Sequence, residues 1–346
     1  MATMKAALYD GKGKFQVKDI PQPEAGQGTV IVRVHASGIC GSDLNVLRDT
    51  KEPQKLPSGH EVAGEIVEVG PGVAGWSVGD RVALDTVCQG RACGRCAFCL
   101  SGQFFHCLDQ AQGWGGGFAR YIKRRALGCH RLPDSLTWAE GALVEPLAVS
   151  VHGLRRAQLK GGETVVVLGT GTIGLTAVAA ARAMGAGRVF ATARHKHQAD
   201  MATRLGADAT FSPEGDTLSE GVAAATHGLG ADLVVETIGG YKNDTMLQAI
   251  QVCRPLGRVL VLGGFRVPVQ MEFAPLLQGE RDLIYAVCYS VMDERHDFDI
   301  AADIIASRRL PMTDMVTHTF PLEKAQQALE TAYDKSTGSI KVHIVP

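Results

Sequence analysis

Five of the nine cysteines lie between Cys88 and Cys107, and four of these, Cys93, Cys96, Cys99 and Cys107, are spaced C-x2-C-x2-C-x7-C. Four thiolates converging in one loop make a closed tetrahedral site, the usual form of structural zinc, with no position left for water or substrate. Cys88 stands near enough in sequence to be a fifth candidate, whereas His106 reads as a solvated loop histidine beside a complete tetrahedron. A second group has the residue types of a metal site without local spacing. Cys40 lies in SGICGSD, His60 and Glu61 open HEVAGEIVEV, and Glu145 sits in ALVEPLAV. An ionised carboxylate among apolar neighbours is costly unless it is paired or bound to a metal. A cysteine, a histidine and one or two carboxylates around zinc, with one position open, describe a catalytic centre.

A third group suits a dinucleotide. Gly169, Gly171 and Gly174 form G-x-G-x-x-G, with Thr172 and Ile173 inside it, directly after an apolar run Val165–Leu168 and at the start of a helical stretch. The first glycine allows the turn, the second lets the backbone approach the pyrophosphate, and the third packs helix against strand. Free N–H groups at the helix N-terminus then face the phosphates. The acid that bonds a ribose 2′-hydroxyl in NAD-binding versions of this motif is expected about 20 residues on. Ala193 stands there, nineteen residues after Gly174, followed by Arg194, His195 and Lys196. Cations without a carboxylate favour a 2′-phosphate, so NADP(H) is expected over NAD(H). Leu262 and Gly263, at the end of a later strand-like run, are counted with the cofactor-binding residues.

These groups need two kinds of scaffold. From Lys5 to about Leu132, short β-like runs such as Thr29–His35 and Glu61–Val69 alternate with Gly/Pro clusters, the pattern of an all-β region. Leu136–Ala157 has helical length and spacing, with Pro146 expected to kink or break it. Runs at Thr164–Leu168, Arg188–Ala193, Ala231–Glu236 and Gly257–Leu262 then alternate with helical stretches, predicting βαβ units on a parallel sheet. The terminal KVHIVP is strand-like and resembles the first region, so a discontinuous first domain of residues 1–150 and 289–346 is expected around a second of 151–288. The chain is 346 residues long, and its 35 basic and 36 acidic side chains give a net charge of -1. That balance offers no field for nucleic acid or an anionic membrane. Neither an apolar signal core nor an apolar run of membrane-spanning length is evident, and a cytoplasmic location is expected.

Taken together, Gly59-His60-Glu61-x2-Gly64-x5-Gly70-x2-Val73, the four-cysteine loop and the glycine motif resemble the zinc-dependent medium-chain alcohol dehydrogenases over nearly the whole chain. CGSD and EPLAVS are similar to the sorbitol and threonine dehydrogenase branch of that family. The resemblance implies an α/β architecture: a GroES-like β domain carrying both zincs, and a Rossmann doubly wound parallel-sheet domain for the coenzyme. It implies catalytic zinc on Cys40, His60 and either Glu61 or Glu145, with Ser42 in the proton relay. Asn45 occupies the region of the usual relay histidine, and Cys288, beside Tyr289, occupies that of a polyol-binding arginine. These departures favour an apolar, cyclic or branched secondary alcohol over a polyol, with Trp114, Phe118 and Tyr289 as candidate pocket aromatics. His152 receives no role. Val267–Phe273 alternates like a strand without an intradomain partner, and in this family such a segment often pairs across subunits, implying a homodimer or homotetramer. The expected activity is hydride transfer between NADP(H) and a secondary alcohol or ketone. The alternatives are an NAD(H)-dependent polyol or threonine dehydrogenase, a zinc-free reductase of the same fold, and a non-catalytic zinc-binding protein.

Overall fold

β-Branched and aliphatic residues dominate Thr29–Gly38 and Glu61–Val69, and their nearly continuous burial suits their place at the centre of one sheet. The computed structural model describes residues 2–346. It divides into two compact units, one of residues 2–145, 288–306 and 313–346 and the other of 146–287 and 307–312.

The first unit is built on a seven-stranded sheet in the order Val316–Pro321, Lys341–Val345, Thr29–Gly38, Glu61–Val69, Arg81–Asp85 and Cys129–Arg131, with Tyr121–Arg125 also paired to Thr29–Gly38. The terminal strand therefore lies next to the strand that leads into Cys40. The register sets Gly38 opposite both Glu61 and His343, and Glu61 opposite Asp85. Directly opposed residues project to the same face, so His343, Glu61 and Asp85 form a polar row across the sheet. Val30, Val32, Val62, Ile66, Val82 and Leu84 supply one packed core.

The second unit is a six-stranded parallel sheet in the order Ala209–Phe211, Arg188–Thr192, Thr164–Leu168, Ala231–Glu236, Cys253–Val261 and Asp282–Tyr285. Its strands are apolar on both faces, as a sheet covered by helices on either side requires. Strand order reverses between Thr164–Leu168 and Ala231–Glu236, where ligands of such sheets bind beyond the carboxyl ends.

One expectation is met and two are revised. Leu136–Ala157 is two helices, Trp138–Ala142 and Val144–Arg156. The break falls before Pro146, which lies in the first turn of the second helix, where its missing N–H costs nothing. That helix also crosses the expected boundary at 150/151; the units divide between Glu145 and Pro146. Val267–Phe273 contains no strand, and its alternation has an intradomain cause: Val269 and Met271 pack against the core of their own sheet.

Candidate metal and coenzyme sites

In the four-cysteine loop the sulfurs of Cys93, Cys96, Cys99 and Cys107 all lie within 4.8 Å of one another. Cys96 Sγ is 3.5 Å and Cys93 Sγ 3.9 Å from Cys99 Sγ. The backbone aims N–H groups at the sulfurs, from Cys93 to Cys107 at 3.2 Å, from Asp109 to Cys107 at 3.4 Å and from Arg95 to Cys93 at 3.5 Å. Such donors favour thiolates. Backbone donation from Leu108 and Cys99 pulls the Cys96 thiol down to about 6, while burial pushes Cys99 up to about 12. The donor set and its compactness fit a tetrahedral metal with no open side. Cys88 is not in this group. It is buried, and its thiol interacts with Cys288 instead, so the fifth-ligand expectation is withdrawn. His106 is exposed between the rings of Phe98 and Phe105.

The second group is assembled by the sheet of the first unit. Cys40 caps the helix Gly41–Asp49, and Asp43 in its first turn accepts the Cys40 N–H at 2.9 Å and the Gly59 N–H at 3.3 Å. One carboxylate thus ties the loop of Cys40 to the loop of His60. Asp43 carries this role unassigned by sequence reasoning, although an acid three residues after a helix cap is a recognisable signal. Gly59 has φ +92°, and a Cβ there would stand 2.7 Å from the Phe118 ring, so the turn into His60 requires glycine. Cys40 Sγ, a His60 ring nitrogen and a Glu61 oxygen lie within 4.8 Å of one another. Burial opposes charge on His60, but its hydrogen bond with Cys40 and the nearby Glu145 and Asp43 carboxylates hold its pKa well above the usual value.

The two candidate carboxylates differ sharply. Lys341 Nζ donates to Glu61 Oε1 at 2.6 Å and Oε2 at 2.7 Å, with lysine and glutamate each 1% exposed. Glu145, 6% exposed at the start of its helix, has no hydrogen-bond or ion-pair partner among the described residues. Burial drives its carboxyl up to about 7 against the opposing pull of His60. A buried acid near a cysteine–histidine pair is a residue type that suits a metal site. Ser42 is exposed on the first turn of the helix after Cys40, and Asn45 is half-buried on the same helix.

The proposed pocket aromatics do not share a location. Phe118 is fully buried in a core with Ala7, Phe15 and Leu329. Trp114 lines a separate groove with Pro21, Pro23, Leu56 and Pro57. Tyr289 packs at 4.7 Å against Phe298. Its hydroxyl, 1% exposed overall, finds no partner among the described residues and lies near Asp85, Glu145, Cys88 and Cys288. A single aromatic pocket is therefore not what these side chains form.

In the second unit, Gly169 has φ +92° and a Cβ on Gly174 would stand 1.9 Å from the Gly169 carbonyl oxygen. A Cβ on Gly171, which caps the helix Thr172–Ala183, would meet nothing within 4 Å. The first and third glycines are thus dictated by the turn, and the second by space left open for a ligand, with Thr172 and Ile173 opening the helix behind it. Thr192, absent from the sequence reading, accepts the Gly169 N–H through Oγ1 at 2.8 Å. Glu236 is a second omission: its carboxylate accepts from the N–H groups of Ile238 and Gly239 at 2.9 Å, while its carbonyl accepts from Leu262 at 2.8 Å and Gly263 at 3.1 Å. It fixes both turns at the carboxyl end of the sheet. Arg194 is exposed, His195 caps the helix Lys196–Arg204, and Lys196 pairs with Asp200 at 2.7 Å. That pair is 86% and 56% exposed, so it leaves the lysine available at little cost. His152 is buried in its helix.

Comparison with known proteins bears on both units. The alcohol dehydrogenase GroES-like domain matches residues 26–134, and the zinc-binding dehydrogenase domain matches 172–307. The chain is 31% identical to sorbitol dehydrogenase of Bombyx mori over 98% of both chains. It is 32% identical to sorbitol dehydrogenase of Bacillus subtilis (strain 168), covering 99% of this chain and 97% of that one. Among solved structures, a zinc-binding dehydrogenase from Sinorhizobium meliloti 1021 bound to NADP superimposes over 100% of both chains with a TM-score of 0.85 and 29% identity.

Proposed function

The chain belongs to the zinc-dependent medium-chain alcohol dehydrogenases, in their sorbitol dehydrogenase-like branch, and from that premise we propose that it interconverts a secondary alcohol and a ketone with NADP(H) as preferred coenzyme. In this reading Cys40, His60 and either Glu61 or Glu145 hold the catalytic zinc, and Cys93, Cys96, Cys99 and Cys107 hold a structural one. The observation that carries it is the group of Cys40, His60 and Glu61, whose donor atoms lie within 4.8 Å of one another, with the buried Glu145 carboxylate near His60. Zinc so held supplies Lewis acidity, lowering the pKa of a bound alcohol and polarising a bound carbonyl. The nicotinamide supplies the hydride chemistry.

The protein's own part is position and proton traffic. Asp43 fixes the two loops that present Cys40 and His60. Ser42, exposed beside Cys40, takes the alcohol proton and passes it toward solvent. Gly169, Gly171 and Gly174 leave room for the pyrophosphate, and Arg194 is free to pair with a 2′-phosphate where no carboxylate opposes it. The NADP in the Sinorhizobium meliloti relative supports that choice. An NAD(H)-linked polyol reaction is the second reading, supported by the names of the sorbitol dehydrogenase relatives.

No helix among the described residues is long and apolar enough to cross a membrane. Asp282–Tyr285 is a sheet edge with exposed Tyr285 and Val287 beside it, which supports a homodimer or homotetramer; a monomer mass by light scattering would remove that element. The deciding experiment measures initial rates with NADP+ and NAD+ across polyols, threonine and cyclic or branched secondary alcohols, alongside zinc content. Two zincs per chain and faster NADP+ reduction are expected. One zinc would favour a zinc-free reductase centre, and an equal or better response to NAD+ would reject the coenzyme assignment.

A further inference from the structure

The strand Ala231–Glu236 carries a carboxylate near each end, and the two have different surroundings. Asp232, toward the amino end, pairs with the Arg254 guanidinium at 2.7 Å and accepts the Thr164 N–H at 2.8 Å. Glu236, at the carboxyl end, is fully buried and has no cationic partner among the described residues. Its Oε1 takes three donors: the Ile238 and Gly239 N–H groups, each at 2.9 Å, and the Thr245 hydroxyl at 2.8 Å. Oε2 finds no donor among the described residues and lies under Gly263, where a Cβ would stand 2.2 Å from it.

The turn held by Oε1 is wedged between two others. Thr237 Oγ1 donates to the Leu168 carbonyl at 2.8 Å, and a Cβ on Gly169 would stand 2.5 Å from Ile238 Cγ1, so the turn abuts the first glycine of the dinucleotide motif. On its other side the Gly240 N–H donates to the Gly264 carbonyl at 3.0 Å, and the Gly240 carbonyl accepts from Arg266 at 2.8 Å. The three turns follow adjacent strands where strand order reverses, the place at which such sheets bind their ligands. Stability alone explains Glu236 poorly, because a buried charge is costly unless it is paired, and one of its oxygens lacks the partner that buried polar atoms ordinarily have. What the charge does supply is stiffness: hydrogen bonds to an ionised acceptor are roughly twice as strong as neutral ones, and three of them meet on one oxygen. Binding geometry is kept by the residues that support it. We infer that Glu236 is a positioning residue for the coenzyme, which, through the turn of residues 237–240, holds Ile238 against Gly169 and so sets the affinity for NADP(H) and NAD(H) alike.

This rests on the coenzyme reading of the glycine motif, and the test separates the two. NADPH and NADH are titrated into the unaltered protein, and binding is followed by nicotinamide fluorescence, without turnover. Failure of the unaltered protein to bind either sinks the coenzyme reading, and the inference with it. With binding established, Glu236→Gln keeps an acceptor at Oε1 but removes the charge. It is expected to raise Kd for both coenzymes roughly 3–10-fold, as weakened charge-assisted bonds imply, with Tm and the KM for alcohol close to those of the unaltered protein. Asp232→Asn breaks the ion pair at the other end of the same strand and is expected to do the converse, lowering Tm with both Kd values unchanged. A merely structural Glu236 would make Kd follow Tm in the two variants alike, and that result, or an unchanged Kd in Glu236→Gln, overturns the inference. Should Glu236→Gln fail to fold, Thr245→Val, which removes one of the three donors, decides: weaker binding of both coenzymes supports the inference, and unchanged binding overturns it.

Discussion

The two candidate metal centres are built in opposite ways. The four-cysteine loop closes within a few turns of backbone, with sulfurs in mutual contact and neighbouring N–H groups turned toward them. The Cys40 centre draws on strands, loops and a helix from Cys40 to Glu145, and its surroundings extend to Lys341 on the terminal strand. One site is local, uniform in ligand chemistry and closed. The other is assembled by a sheet and mixed in charge. A closed thiolate set stabilises a loop, while a mixed set held apart by distant elements can leave a position for chemistry.

The strongest way to break this contrast is to remove one ligand from each centre. His60→Ala is expected to lose the catalytic zinc alone and to lower kcat/KM by at least about 1000-fold, since Lewis-acid stabilisation is worth several kcal/mol and each 1.36 kcal/mol is tenfold. Zinc content should fall from two to one, with Tm little moved. Cys96→Ser should do the converse. Loss of the closed site is expected to lower Tm by roughly 5–10 °C, from a few kcal/mol at about 2–4 °C each, with residual activity far above that of His60→Ala. Scanning calorimetry and assays on metal-quantified samples check both. Similar losses of rate in the two variants would erase the proposed division of labour.

The same contrast explains what could be read without coordinates. C-x2-C-x2-C-x7-C and G-x-G-x-x-G are complete in the sequence because their atoms meet through local backbone geometry. Strands such as Thr164–Leu168 and Ala231–Glu236 were equally legible from their apolar runs. Short elements such as Ala209–Phe211 and Asp282–Tyr285 carry too few residues to show a period. Cys40, His60, Glu61 and Glu145 were grouped by residue type alone, without local spacing, and the resemblance gave that group its role. Glu61 and Glu145 could not be ranked, because what each carboxylate meets depends on distant elements, Glu61 meeting Lys341 through the register of the terminal strand. Val267–Phe273 misled for a related reason: alternation records one buried face and does not say whose core buries it.

The coenzyme loop is a second local case and sharpens the comparison. Arg194 stands exposed immediately after a strand, without the acid that would select a ribose hydroxyl. Arg194→Ala is expected to raise KM for NADP+ about tenfold while leaving that for NAD+ nearly unchanged, since a charge-assisted pair contributes about 1.5–3 kcal/mol before solvent screening reduces it. Initial-rate measurements with both coenzymes check this, and an equal effect on the two would remove the phosphate contact.

The smallest effect probes the sheet face that carries Glu61. His343 lies on that face, and neither ring nitrogen has a partner among the described residues. Burial, with Lys341 nearby, lowers its pKa to about 3 from an ordinary value of 6.5. Between these values the unfolded chain binds the proton and the folded chain does not, so stability is fully present above about pH 6.5 and is lost progressively as the pH falls toward 3. From pH 6.5 to 5 the loss is on the order of 2 kcal/mol, or several degrees in Tm. His343→Leu removes the titrating group from a site that is already apolar enough to exclude charge. Its Tm should therefore decline less steeply than that of the unaltered protein over this window, with other titrations common to both. Parallel curves would show that His343 is charged or solvated in the folded state, and would leave the assembled centre without the dry polar face that sets it apart from the loop site.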